Sequence, residues 1–301
     1  MKRSIFLKSI VSVFAVGLIG LHTPSALADD AKKLKVLIVD GQNNHNWKST
    51  TPVMQKAFTD SGKFEVSVST TPDKKKGTQE QWDAWRPVFA DFDVVVSNYN
   101  GAMWPEEVRT AFEAYVGGGG GFVCIHAADN AFPDWAEYNL MIGLGGWGGR
   151  NEKSGPYLFV KDGKLMRDSS PGRGGSHGPQ REFPVTTFPD SADHPIVKGL
   201  PMTWMHAKDE LYDSMRGPAE NVTVLATAVS EKSKKTEPML MAIDYKEGRC
   251  FHSTLGHADY SMKCVGFITT LLRGAEWAAT GAVTMEIPEN FPTADASSSV
   301  E

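Results

Sequence analysis

Phe122-Val123-Cys124-Ile125-His126-Ala127-Ala128, led in by five glycines from Gly117 to Gly121, is the stretch where the architecture of this 301-residue chain shows most plainly. A short apolar run without alternation reads as a strand buried on both faces. It ends abruptly in a histidine. In an open α/β sheet, ligands bind in the crevice outside the carboxyl ends of the strands. A titratable side chain delivered there by an apolar run is therefore a candidate reactive group.

Working outward, the same grammar repeats. Leu34 to Val39 is another unbroken apolar run, followed by the polar loop Asp40 to Trp47. Ser49 or Thr50 can cap the next helix, with Pro52 in its first turn. Phe64 to Ser69 predicts a second strand. A helix holding Trp82, Trp85 and Phe89 follows, then a strand at Asp93 to Ser97. Pro105 starts a helix that runs through Tyr115. The alternation of strands and helices with short links predicts an α/β fold built on a doubly wound, mostly parallel sheet.

After Ile142 the pattern changes. Residues 143–181 are rich in glycine and charge, with a short strand at Tyr157 to Val160, and read as a Gly-rich insertion. Long irregular segments in compact domains often serve as lids or binding loops. Strands return at Phe183 to Phe188, Val222 to Val229, Met239 to Tyr245 and Gly248 to Thr254. A last helix spans Tyr260 to Ala279. The strand ending near His257 is expected to lie beside the one ending at His126. Residues 288–301, rich in Pro, Ala, Ser and acids, predict a disordered tail.

The first 28 residues read as a signal peptide: Lys2, Arg3 and Lys8, then an apolar core from Ile10 to Leu21, then Ala26-Leu27-Ala28. Cleavage after Ala28 implies a periplasmic or secreted protein whose domain occupies residues 29–287. Cleavage removes three positive charges and no acidic ones, taking the net charge from −5 to −8. That balance argues against nucleic-acid and anionic-membrane partners, both of which need a basic face. The oligomeric state stays open, with a homo-oligomer allowed. Export permits disulfides, and Cys250 with Cys264 could form one. The apolar setting of Cys124 marks it as a buried free thiol.

Five motifs in order carry a family resemblance across residues 34–280. They are Val36-Leu37-Ile38-Val39-Asp40-Gly41 with His45, Gly119 to Ala128, His194-Pro195-Ile196, Asp209-Glu210-Leu211-Tyr212, and Leu255-Gly256-His257. The chain resembles the ThuA-like (trehalose-utilisation) family of the class I glutamine amidotransferase-like superfamily. The resemblance implies a flavodoxin-like fold, a link to sugar catabolism, and substrates such as 3-keto glycosides made by partner dehydrogenases. Amidotransferases place their nucleophilic cysteine where this chain has His126. Cys124 lies two residues too early, inside the strand, where a buried thiol is inert. The late strand reads His252-Ser253-Thr254-Leu255-Gly256-His257 and lacks the His-x-Glu pair of a glutaminase triad. Glutaminase chemistry is therefore not expected.

The candidate reacting groups are His126, His257 and Glu210. Histidine titrates near working pH and serves as acid or base; the plainer alternative for His126 is a structural histidine bonding loop backbone. Gly256 before His257 suggests unusual backbone or a close approach. Adjacent strand residues face opposite sides, so only one of Asp209 and Glu210 can face the site, and Glu210 is the candidate. For substrate contacts the candidates are His45 with Asn44 and Trp47, then Trp104, Asp129, Trp147, Arg150 and His177. Indoles suit sugar faces, and Arg150 suits a keto oxygen. Trp82, Trp85 and Trp277 have helical neighbours and read as core. The glycine run before the Phe122 strand is a helix-to-strand link, because phosphate loops follow strands.

Three readings remain in view. The first is an enzyme acting on a small glycoside or keto-sugar by histidine acid/base chemistry, with no cofactor. The second is a non-catalytic carbohydrate-binding protein. The third is a metal-dependent hydrolase, with a divalent metal on the strand-tip histidines and a carboxylate from Asp129, Asp209 or Glu210. No H-E-x-x-H spacing supports that third reading locally.

Overall fold

The computed structural model describes Met1 and residues 32–301, so the expected signal peptide, Met1 apart, lies outside the described residues. In chain order the elements are β1 (Leu34–Asp40), α1 (Trp47–Asp60), β2 (Phe64–Thr70), α2 (Gln79–Ala84), β3 (Val94–Ser97), α3 (Glu106–Gly117), β4 (Gly121–Ile125) and α4 (Ala136–Ile142). The insertion and the strands after it give β5 (Tyr157–Lys161), β6 (Lys164–Asp168), β7 (Ser176–His177), β8 (Arg181–Thr187), β9 (Thr203–Asp209), β10 (Tyr212–Asp213), β11 (Val222–Val229), β12 (Thr236–Tyr245) and β13 (Gly248–Ser253). Two helices close the series, α5 (Asp259–Met262) and α6 (Val265–Thr280).

The main sheet runs β2-β1-β3-β4-β13-β12-β11-β8-β9. Its first five strands pair in parallel, and β13 lies beside β4 with Ser253 opposite Ile125. From β13 onward the pairing is antiparallel, and the β5–β6 hairpin joins the edge of β12. This is a doubly wound α/β sheet of the flavodoxin-like kind, extended on one side by antiparallel strands.

Alternation within the parallel strands divides the core. Val36, Ile38, Val123 and Ile125 point to the face covered by α1 and α6, where Met54, Phe58, Phe267 and Leu271 pack. Leu37, Val39, Phe122 and Cys124 point to the opposite face, against Phe112 and Val116 of α3 and Tyr138 and Met141 of α4. Both faces are therefore apolar, which is why these strands read as unbroken hydrophobic runs. Truncating a side chain as deeply buried as Phe112 to alanine removes about 3–5 kcal/mol. Gly274 lets α6 settle on β13, because a Cβ there would collide with the Phe251 ring.

Local chemistry moved some boundaries. Helix α1 starts at Trp47, before the expected caps, and the Asn46 carbonyl accepts from the backbone of Ser49 and Thr50. Pro87 stops the α2 segment from continuing to Phe89, which sits instead in a separate 3-10 turn. Residues 288–301 are not the loose tail their composition suggested. Phe291 packs on Trp204, Val265 donates to the Ser298 carbonyl, and Val300 donates to that of Lys263. All three cysteines are buried free thiols, so Cys250 and Cys264 do not pair. No described helix is long and apolar enough to cross a membrane.

Candidate functional site

The loops after β1, β3, β4 and β9, together with the insertion, line a cavity of about 400 Å³. The β1 loop supplies Asn44 and His45, the β3 loop Asn100, and the turn after β4 Asn130. The insertion supplies Trp147, Gly148 and His177, and the segment after β9 supplies Glu210 and Tyr212.

His126 stands at the tip of β4 with φ +46°, a left-handed conformation that costs a non-glycine residue of order 1 kcal/mol. The fold holds it there by a 2.6 Å bond between Nδ1 and the Thr254 carbonyl at the end of β13. A carbonyl only accepts, so Nδ1 carries the proton. Nε2 is buried, makes no hydrogen bond, and lies 3.7 Å from Glu210 Oε2. His257 arrives from the tip of β13 and places Nδ1 3.1 Å from the same oxygen, while its Nε2 meets the Gln180 amide at 2.8 Å. His45 completes the group: its ring centroid is 4.9 Å from that of His126 and 4.4 Å from that of His257. One ligating atom from each of His45, His126, His257 and Glu210 falls within 4.8 Å of the others.

Asp209 organises this cluster from below. Fully buried, it accepts from the backbone N–H of Gly256 at 2.7 Å, of His257 at 3.0 Å and of Glu210 at 2.8 Å, and from His206 at 2.7 Å. Gly256 sits at φ +114° with Met262 and Phe267 against it, so the turn that presents His257 needs glycine. Adjacent positions thus diverge, Glu210 toward the cavity and Asp209 into the protein.

The electrostatics follow from that packing. Burial works to raise the Glu210 carboxyl, but His126 and His257 beside it outweigh burial and hold it well below the usual carboxylate range. For His45, burial and then the neighbouring His126 and His257 push the imidazole down to about 3, so it is neutral. Burial opposes a charge on His126, yet Glu210, Asp209 and the Thr254 carbonyl together raise its pKa. His206 is burdened by the same desolvation, but Asp209 lifts it to about 9. One ionised carboxylate thus faces three imidazoles across a small space.

Tyr212 closes the Asp209–Tyr212 motif but was not among the expected contacts, and it forms a wall of the cavity. Its ring lies 4.1 Å from that of His126 and 4.7 Å from that of Trp147, and its hydroxyl reaches His45 Nε2 at 3.3 Å. Asn100 and Asn130 were missed as well; each sits just beyond a strand tip, and that placement was the available signal. His177 lines the rim, 3.7 Å from Glu210 Oε1.

Four expected contacts fall elsewhere. Trp104 is buried among Trp85, Phe112, Phe132 and Trp135. Arg150 is 3 % exposed and spends its guanidinium on the carbonyls of Asn130, Ala131 and Gly146 and on the Asn139 amide. Asp129 is buried below the cavity, 3.1 Å from His252 Nε2. Trp47 opens α1 under Lys48 and does not line the cavity. Cys124 is sealed inside β4, where burial pushes its thiol well up.

Comparison with known proteins places this geometry. The ThuA family model, described as trehalose utilisation, matches residues 35–278. A solved structure described as a ThuA-like protein, from Parabacteroides merdae, is 46% identical with a TM-score of 0.85, covering 89% of this chain and 98% of that one. A second, described in the same way and from Bacteroides uniformis, is 19% identical with a TM-score of 0.54, covering 87% and 97%. The cytoplasmic protein STM3548 from Salmonella typhimurium, at 12% identity and a TM-score of 0.50, covers 81% of this chain and 99% of its own and shares the fold. Among curated proteins no match was found.

Proposed function

The chain belongs to the ThuA trehalose-utilisation family, and from that premise we propose that it acts on a small glycoside or sugar, in its 3-keto form, inside the strand-tip cavity. One observation carries the reading: His45, His126, His257 and Glu210 arrive from four separate loops and bring one donor atom each within 4.8 Å of the others, with His45 and Glu210 also lining that cavity. The walls suit a sugar. Trp147 offers an aromatic face for the apolar side of the ring, and the amides of Asn44, Asn100 and Asn130 suit its hydroxyls.

The floor suits a ketone. A carbonyl makes the neighbouring C–H acidic, and transfer of that proton to His126 or His257, acting as general base, leaves negative charge on the oxygen. A preorganised centre of positive character at that oxygen lowers the barrier by several kcal/mol, about what one oxyanion-hole donor contributes. His126 and His257 flank Glu210 at the cavity floor, and Glu210 with Asp209 favours the charged form of His126. Elimination, hydration or isomerisation can follow the same enolate. Glutaminase activity is not part of the proposal, since the buried Cys124 cannot act as a nucleophile.

Proton NMR of the protein in D₂O with a panel of 3-keto glycosides and their parent sugars tests this. Turnover, or deuterium uptake beside the ketone, is expected for the wild type, falling by about 10²-fold or more in His126→Ala. A protein that binds these sugars without turnover or exchange would be a binding protein, and the proposal would fail. Export is a further part of the proposal, resting on residues 1–28 alone. Mass spectrometry of the protein from its native host should find a mature chain starting at Asp29; an intact Met1 in a cytoplasmic fraction would refute export.

A further inference from the structure

We infer that His45, His126, His257 and Glu210 form a binding site for a divalent first-row transition ion of the zinc type. The inference deepens the proposed function and rests on the same cavity: the ion would supply the positive charge that faces the sugar oxygen.

Three independent features of the site support it. The first is the donor set. Three imidazoles and one carboxylate are what zinc and its first-row neighbours accept, whereas magnesium and calcium prefer all-oxygen shells. The second is spacing. Donor atoms around a tetrahedral zinc lie about 3.4 Å apart, given bonds of about 2.1 Å. Here the Glu210 Oε2 atom is already 3.1 Å from His257 Nδ1 and 3.7 Å from His126 Nε2, and all four donors lie within 4.8 Å of one another. Closing the set needs side-chain adjustments on the order of 1 Å, not a change of backbone.

The third is an unpartnered donor. His126 is 2 % exposed, yet its Nε2 has no hydrogen-bond partner among the described residues. A buried polar atom left so loses about 1–3 kcal/mol, and natural structures rarely tolerate that without a reason. The opposite ring nitrogen explains the orientation. Its proton goes to the Thr254 carbonyl, the outer bond that metal-binding histidines almost always make. His257 Nδ1 is likewise buried and without a hydrogen bond. Asp209 fixes the backbone at both Glu210 and His257, so two of the four donors are held by one buried carboxylate. The bound ion would keep a face toward the cavity, where a ligand oxygen or water could join it.

Equilibrium dialysis of the untagged protein against zinc, cobalt, manganese or magnesium salts, read by elemental mass spectrometry, tests the inference. About one equivalent of zinc or cobalt per chain is expected, with visible cobalt bands showing nitrogen ligation, and no retained magnesium. His126→Ala and Glu210→Gln should lose the ion, while His194→Gln, remote from the group, should keep it. A folded wild type that retains no ion overturns the inference, and so does retention undiminished in His126→Ala. Failure of the ion and failure of the sugar reading remain distinguishable. Deuterium exchange at full rate in chelator-stripped protein removes the ion and leaves the sugar reading. One bound equivalent with no sugar reacting keeps the ion and removes the sugar chemistry.

Discussion

Asp209 and Glu210 are chemically alike and adjacent, yet one is structural and the other faces the ligand space. They separate at the end of β9, where Asp209 turns into the protein and Glu210, the first residue past the strand, turns toward the cavity. His126 and His257 could be read from the sequence, each delivered by an apolar run whose end is visible in the chain. Arg150 and Trp104 were misread because their partners are distant carbonyls and aromatic rings, and nothing local in the sequence encodes those. Tyr212 was not among the expected contacts because its role depends on a neighbour, His126, nearly ninety positions away. At this scale Asp209→Asn should be severe. The substitution removes the charge paired with His206 and weakens the hold on three backbone amides. Chemical denaturation should show a loss of about 3–5 kcal/mol, the usual result of breaking a buried ion pair. A change below about 1 kcal/mol would mean that Asp209 does not organise the loop.

Among the elements, the parallel strands were the most readable because burial on both faces leaves a run of Val, Ile and Leu with no polar interruption. The antiparallel extension was harder. Strands β8, β11 and β12 could be placed along the chain and β9 was not, and the direction of all four is set by pairing between distant segments. The C-terminal segment was misjudged for a related reason. Composition reports average polarity, while docking there depends on particular contacts, Phe291 on Trp204 and the backbone bonds at Ser298 and Val300. Phe291→Ala should therefore lower stability by about 2–4 kcal/mol in a denaturant titration, as for other large-to-small changes; an unchanged midpoint would return this segment to the status of a tail. Gly274→Ala tests the α6–β13 contact. The added methyl meets the Phe251 ring, and overpacking of this kind costs about 1–3 kcal/mol. An equal or higher melting temperature would show that the helix can shift without penalty.

The molecule as a whole gathers its histidine and carboxylate cluster at the carboxyl ends of the parallel strands, where a doubly wound sheet offers a ligand crevice. That placement was readable from order and periodicity. The convergence of four side chains from four loops was not, since it needs the strand order β1-β3-β4-β13 and the return of the segment after β9 to those strand tips together. The global charge state carries a separate prediction. Burial, reinforced by Asp213 and opposed by the Ser233 hydroxyl, pushes the Glu237 carboxyl from 4.5 up to about 7. The folded state then keeps a proton that the unfolded chain has released. The part of the stability that Glu237 contributes should fall as pH rises from about 4.5 to about 7, by roughly 3 kcal/mol at most. Glu237→Gln should flatten this slope in denaturation midpoints measured across the window; an unchanged slope would place the protonation elsewhere.

The central claim is that the strand-tip cluster acts on its sugar as a single unit. The most direct measurement is the deuterium-exchange rate of a 3-keto glycoside with His126→Ala, Glu210→Gln and the double variant, each checked to be folded. Groups that work as one centre lose their effect together. The account predicts that the double variant is no slower than the worse single variant. Losses that multiply, or exchange that survives in all three, would contradict it.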